Sequence, residues 1–330
     1  MLYLRQKKEC FKEILMIIRE SYYTHVSGSD GLSLAVLRIE PDDSSHIKGI
    51  VQVVHGMTEH KSRYIEFMKF LAQKGYITVI HDHRGHGDSV KSRDDLGFMY
   101  SGGYKALIED THEITREIKE YAYGETGRDD LPFTLIGHSM GSLVVRCFIK
   151  KYDNEIDNLC VLGCPSERKD AAIGLKFVQL MEKIKGPRFR SKLVTHIITG
   201  SYNKRFKDDN IEKAWTSSDL NSVRRLNDDP DCGFIFTLSA YIEMIKLTLE
   251  TYSDKGYEKK NPKLRIKFFS GKEDPCGIST EAIRNAMRHI RKHGYKNLSG
   301  KIYPGMRHEV LNEREKEKVW KDILKFIEGK

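Results

Sequence analysis

The sequence predicts an α/β fold, a mostly parallel central sheet with helices on both faces. Three observations carry that prediction. Short continuous apolar runs alternate with amphipathic helical stretches along most of the chain. The pentapeptide Gly137-His-Ser-Met-Gly141 stands between one such run and one such helix. The alternation stops after Pro165 and resumes near Phe234. Strands of a parallel sheet are covered on both faces, so they read as unbroken apolar runs and not as alternating ones.

Taken in order, residues 1–21 place Leu4, Phe11, Ile14, Leu15 and Ile18 near one helical face, which predicts an N-terminal helix docked on the body. A helix lying on a membrane surface is the alternative reading. Residues 22–26 and 34–39 read as two edge strands around the turn Ser27-Gly-Ser-Asp-Gly31. Residues 49–54 form a buried strand ending in His55-Gly56, residues 64–74 an amphipathic helix closed by Gly75, and residues 76–80 the next strand. A long helix over 104–123 precedes a strand over 131–136, the helix that starts near 142, and a sixth strand over 159–162. Residues 166–233 break the rhythm and read as a helical cap inserted after the sixth strand. The cap helix over 171–184 is apolar on more than one face and is expected to bury those faces at the carboxyl edge of the sheet. The alternation returns with a helix over 234–251, a strand over 264–269, a helix over 280–292, a strand over 298–303 and a helix over 313–327. The core is therefore 1–165 with 234–330, and the cap 166–233.

Length and composition narrow the class. The 330 residues suit one large domain with an insertion, or two domains, and 39% hydrophobic with 31% charged residues is a soluble, globular balance. The net charge of +9 is dispersed; its densest cluster is Lys183, Lys185, Arg188, Arg190 and Lys192. That cluster reads as a solvated face, with attraction to anionic lipid or phosphate as the sharper alternative. No recognition motif accompanies the charge, so no nucleic-acid partner is expected. The six cysteines form no C-x-x-C pair and read as free thiols of a reducing, cytoplasmic compartment. Cys276 reads as a bystander to the chemistry. The apolar run 14–18 is too short to span a membrane and lacks a secretion-signal cleavage site.

A G-x-S-x-G turn between strand and helix is how an ordinary serine becomes a nucleophile. The sharp turn exposes the hydroxyl, flanking glycines remove clashes, and the following amide faces the reacting oxygen. Ser139 holds that position. A serine needs a base, and the base an orienting group. Asp274, in Ser270-Gly-Lys-Glu-Asp-Pro275, and His308, in Pro304-Gly-Met-Arg-His-Glu309, follow the last two strands in the chain order this arrangement requires. His308 is the expected base and Asp274 its partner, with Glu273 the rival acid. The amides of Met140 and Met57, the latter beside Gly56, are the expected oxyanion donors. His81, His83 and His86 have the spacing H-x-H-x-x-H of a two-metal hydrolase, but Gly85 stands where that signature carries an aspartate. The cluster reads as an architectural brace, and no metal or cofactor is called for.

His55-Gly-Met-Thr-Glu-His60, Asp82-His-Arg-Gly-His-Gly-Asp-Ser89, Gly137-His-Ser-Met-Gly141, Gly271-Lys-Glu-Asp274 and Gly305-Met-Arg-His308 occur in this order. Together they resemble the α/β-hydrolase branch of monoacylglycerol lipases and lysophospholipases, also called serine aminopeptidase-like, over roughly residues 27–327. The piece 215–219 with Asp229-Pro-Asp-Cys-Gly-Phe234 is similar to bacterial-type members. The resemblance implies the α/β-hydrolase fold, a Ser139–His308–Asp274 triad, the Met57 and Met140 amides as oxyanion hole, and an acyl chain under the cap. The expected function is a cofactor-free carboxylic ester hydrolase. Its substrate would be monoacylglycerol or lysophospholipid, cleaved through an acyl-enzyme, with peripheral contact to a membrane surface. One alternative is an amidase or aminopeptidase with the same triad, its substrate amine anchored by a cap acid such as Glu167, Asp170, Asp208 or Asp209. The other is a non-catalytic binding protein on this fold.

Overall fold

A computed structural model describes residues 16–330. Its strands are β1 (Ile18–Val26), β2 (Ser33–Pro41), β3 (Gly49–Val54), β4 (Tyr76–His81), β5 (Phe133–His138), β6 (Asn158–Leu162), β7 (Arg265–Gly271) and β8 (Leu298–Tyr303). Its α-helices are α1 (Ile65–Ala72), α2 (Gly103–Thr126), α3 (Met140–Tyr152), α4 (Ala171–Lys185), α5 (Lys192–Thr199), α6 (Leu220–Asp228), α7 (Leu238–Thr251), α8 (Thr280–Lys292) and α9 (Lys316–Ile327). The strands form one sheet in the order β1-β2-β4-β3-β5-β6-β7-β8. β2 runs antiparallel to both its neighbours, and the other pairings are parallel.

Side chains alternate across the sheet and feed two cores. Ile50, Val54, Leu135 and Phe268 face α2, α3, α7 and α8, while Val51, Val53, Ile136 and Phe269 face α1 and α9. Every residue of β3, β5 and β6 is buried, as their unbroken apolar runs require. The strand order reverses between β3 and β5. A crevice opens outside their carboxyl ends at such a switch point, and the loops after β3, β5, β7 and β8 surround it.

Four expectations are corrected here. Residues 18–21 do not end a helix; they begin β1, with Ile18 opposite Pro41 and Ser21 opposite Arg38. The buried Glu40 carboxylate, bonded by Arg19 at 3.0 Å, helps hold that register. The rest of the expected N-terminal helix, 1–15, lies outside the described residues. β2 is not an edge strand, because β1 and β4 flank it; β1 and β8 are the edges. The helix expected from 234 begins at Leu238, where Thr237 caps it by accepting the Ala240 N–H at 3.2 Å. Finally, α4 packs one side on α7 but does not bury its remaining apolar residues. Ile173 is 74% exposed and Ile184 70%, with Phe177 and Leu180 also in solvent.

Candidate active site

β5 turns into α3 through Ser139, whose backbone sits at φ 52° and ψ −116°. That is a strained region for a serine, held by its surroundings. A Cβ on Gly137 would lie 2.4 Å from the Gly141 carbonyl oxygen, and one on Gly141 would lie 2.1 Å from that of Val54. Glycine is therefore required at both places by close approach. Met140 opens α3, so its N–H is among the first-turn amides that a helix leaves without an internal partner.

The three distant side chains meet. Ser139 Oγ lies 2.8 Å from His308 Nε2, and His308 Nδ1 lies 2.9 Å from Asp274 Oδ2. A carboxylate only accepts, so Nδ1 carries the proton and Nε2 receives the serine hydroxyl. Asp274 Oδ1 accepts the Cys276 N–H at 2.8 Å. Glu273, the rival acid, instead pairs with Arg205. The His308 loop is tied to the segment between β6 and β7: Glu309 N–H donates to the Thr216 carbonyl at 2.7 Å, and Arg307 to that of Ala214 at 2.6 Å. The Trp215 ring consequently lies 4.9 Å from the His308 ring.

Met57 sits in the loop after β3, where Thr58 takes a left-handed φ of 55°. A Cβ on Gly56 would come within 3.1 Å of Ser139 Cβ, so the loop backbone crosses directly over Ser139. Glu59 fixes this loop. Its Oε1 accepts the Gly56 N–H at 2.6 Å, the Tyr64 hydroxyl at 2.8 Å and His138 Nδ1 at 3.1 Å. The other nitrogen of His138 donates to the His308 carbonyl at 3.3 Å. One buried ion pair thus connects the loop after β3, the β5–α3 turn and the His308 loop. Burial alone would raise the Glu59 carboxyl, but the His138 hydrogen bond and charge, with Arg63, take it far below the carboxylate range. Burial alone would lower His138, and Glu59 outweighs it to raise the imidazole.

The histidine cluster braces the floor. His83 N–H donates to His55 Nε2 at 2.9 Å, and the rings of His55, His81, His83 and His86 pack edge-on or tilted against one another. Burial holds them neutral, His81 down at about 3 and His86 at about 4. Arg84 of the same motif is fully buried and bonds Asp110 at 2.9 Å and Asp30 at 2.9 Å.

A cavity opens beside Ser139, lined by Met57, Pro165, Ile197, Ile198, Trp215, Met244 and Ile245 among others. Cys276 also lines it, so this residue stands in the wall of the site. Burial and then the nearby Asp274 charge push that thiol well up, which keeps it protonated. Of the cap acids considered as amine anchors, Asp170 reaches the cavity, but Arg168 binds both its oxygens at 3.2 Å. Asp209 is paired with Arg307 at 2.7 Å.

Glu59, Tyr64, His138 and Trp215 were not singled out from the sequence. Glu59 and His138 each stand inside a motif, but their pairing follows from β3 lying beside β5, which spacing along the chain does not encode.

A family profile described as serine aminopeptidase, S33, matches residues 45–315. Human monoglyceride lipase is 28% identical over 121 residues, covering 36% of this chain and 35% of that one. The chain thus spans about a third of the length of that curated relative. Phospholipase YtpA of Bacillus subtilis is 21% identical over 84% of this chain and 95% of its own. Among solved structures, a thermostable carboxyl esterase from Bacillus coagulans in complex with glycerol superposes with a TM-score of 0.83. It is 24% identical and covers 94% of this chain and 98% of that one, and the likeness is one of fold.

Proposed function

The chain belongs to the serine aminopeptidase S33 family of α/β-hydrolases, and from that premise we propose that it hydrolyses carboxylic esters of single-chain lipids, monoacylglycerol or lysophospholipid. The observation that carries the reading is the hydrogen-bonded chain Ser139–His308–Asp274 at the floor of an apolar cavity. Ser139 Oγ attacks the ester carbonyl carbon while His308 Nε2 takes its proton and Asp274 steadies the resulting imidazolium. The amides of Met57 and Met140 receive the developing oxyanion. As the tetrahedral species collapses, the C–O bond breaks and the alcohol leaves with the proton from His308. Water then repeats the sequence on the acyl-serine and frees the acid.

Residues 166–233 serve as the cap over the acyl chain. The cavity walls are mainly aliphatic, aromatic and thioether groups, which suits an acyl chain. An aminopeptidase would need a free carboxylate for the substrate amine. Asp170 is occupied by Arg168, which favours the ester reading. The exposed apolar residues of α4 and α5, Ile173, Phe177, Leu180, Ile184, Leu193 and Ile197, stand among Lys176, Lys183, Lys185 and Lys192. This combination suits peripheral docking on an anionic bilayer, from which a lipid substrate would enter. Among the described residues no helix is long and apolar enough to cross a membrane.

A fluorophosphonate probe tests the nucleophile. Ser139 is expected to label and Ser139→Ala is not; labelling that survives this change would refute the assignment. A panel of monoacylglycerols, lysophospholipids and aminoacyl amides then tests the substrate class. Turnover confined to the amides would overturn the ester reading.

A further inference from the structure

Away from the active site, His289 stands in the last turn of α8 and His293 is the residue that follows the helix, four positions on. Asp254, just beyond the end of α7, meets them, and one ligating atom from each of the three lies within 4.8 Å of the other two. His293 Nε2 is 3.0 Å from Asp254 Oδ1, and His289 Nδ1 is 3.8 Å from the same oxygen. The rings are held in place before any ligand arrives. Tyr257 stacks flat on His293 at 3.8 Å and 5°, and also meets His289 edge-on at 6.1 Å; Tyr252 covers His289 from 5.8 Å. Both imidazoles are largely shielded while Asp254 is half exposed, so an ion could approach from solvent.

We propose that Asp254, His289 and His293 form a site for a divalent transition-metal ion of the zinc type, which pins the chain after α7 to α8. Two imidazoles and a carboxylate are the donor set that suits zinc, copper or nickel more than calcium or magnesium. Zinc bonds of ~2.0–2.2 Å put neighbouring ligand atoms about 3.3 Å apart, so small side-chain rotations complete the site. Three protein ligands leave the remaining positions to water. Lys292 Nζ holds the other oxygen, Asp254 Oδ2, at 2.6 Å, so the ion binds through Oδ1 in competition with that lysine. A second group, His60, Asp229 and Cys232, also brings ligating atoms together. There, however, the Arg63 and Lys213 charges both act on Cys232, and His60 already bonds Asp229 at 2.8 Å. Two cations beside the thiol oppose a third charge. Because α7 contributes Met244, Ile245 and Thr248 to the cavity wall, an ion at its far end would stiffen a helix that shapes the substrate site.

The test uses untagged, chelator-stripped, full-length protein titrated with Zn²⁺ against a chromophoric chelator, and with Co²⁺ followed by its visible spectrum. One saturable equivalent is expected, with a rise in Tm on binding. His289→Ala and His293→Ala should each weaken binding by more than the roughly 10–100-fold that losing a group bonded to a ligand costs. Lys292→Ala, which removes the competing cation, should tighten it, and Cys232→Ser should leave it unchanged. Fluorophosphonate labelling of Ser139 in each variant reports that the fold is intact. Absence of saturable binding by the wild-type chain, or an undiminished equivalent in the double histidine variant, overturns the proposal. So does loss of that equivalent in Cys232→Ser.

Discussion

At the scale of single residues, the buried Glu59–His138 pair is the most consequential arrangement beyond the proposed triad. It holds the Gly56 amide, the residue before the nucleophile and the carbonyl of His308 at once. Glu59→Gln keeps the shape but removes the charge, so the loop proposed to hold the oxyanion loses its anchor. Losing one oxyanion donor costs about 10²–10³ in rate, which sets the upper bound on the expected fall in kcat. A kcat that stays at the wild-type value would show that the loop needs no such anchor. The pH dependence follows from the two shifts. Glu59 is depressed, so its contribution to stability is present above the ordinary carboxylate value of ~4.3 and is lost as pH falls through its lower folded value. His138 is raised, so its contribution is full below the ordinary ~6.5 and is lost as pH rises through its higher folded value. The pair therefore contributes fully between about pH 4.3 and 6.5. Thermal melts should show the Glu59→Gln deficit largest in that window, and a deficit independent of pH would argue against the charge pair.

At the scale of elements, the elbow is set by space. Gly141→Ala would place a methyl 2.1 Å from the Val54 carbonyl oxygen, which is backbone and cannot turn aside. Overpacking of this kind costs ~1–3 kcal/mol or more, and here it also displaces Ser139. Soluble protein with much reduced fluorophosphonate labelling is expected; full labelling would mean the strand and helix can separate at no cost. The hairpin of β1 and β2 is tied to α2 by His25, which meets Glu113 at 3.0 Å and also bonds Glu117. These acids raise His25 to about 9. A raised histidine stabilises fully below ~6.5, and that share is lost as pH climbs from there through about 9. With solvent screening the share is on the order of 1 kcal/mol. His25→Gln should flatten the decline of Tm over that range, and an unchanged slope would assign the decline elsewhere. Strands and triad loops were legible in the sequence because each is a local pattern. An apolar run ends, and a glycine-bounded loop follows with Ser139, Asp274 or His308. What was not legible is what the sheet order decides. The pairing of Glu59 with His138 needs β3 beside β5, the inner place of β2 needs the hairpin partner β1, and the role of Cys276 rests on a backbone amide that its side chain does not reveal. The helical period over the first residues misled at 18–21, where pairing with β2 overrides local preference.

At the scale of the whole molecule, the misjudged face of α4 is informative. A helix apolar on several sides was expected to bury them, and the chain leaves Ile173, Leu180 and Ile184 in water beside Lys183 and Lys185. Ile197 of α5 is itself 55% exposed and also lines the cavity beside Ser139, so apolar surface reaches from solvent into that cavity. On an anionic bilayer each lysine near the surface contributes about 1 kcal/mol, and each large aliphatic side chain that enters the interface contributes ~1.5–3 kcal/mol if fully covered. The two contributions are comparable, so docking should need both. Ile173→Glu with Ile184→Glu should weaken co-sedimentation with anionic vesicles by at least tenfold, since even ~1.4 kcal/mol is that factor. Raising salt should weaken the wild-type chain as well, because the lysines are exposed and screened. Hydrolysis of a short, water-soluble ester should be unchanged in the double variant, whereas hydrolysis of long-chain monoacylglycerol presented in vesicles should fall with the binding. If both substrates fall together, the two isoleucines support the cap's own packing. If neither falls, lipid reaches Ser139 by a route that does not pass this face.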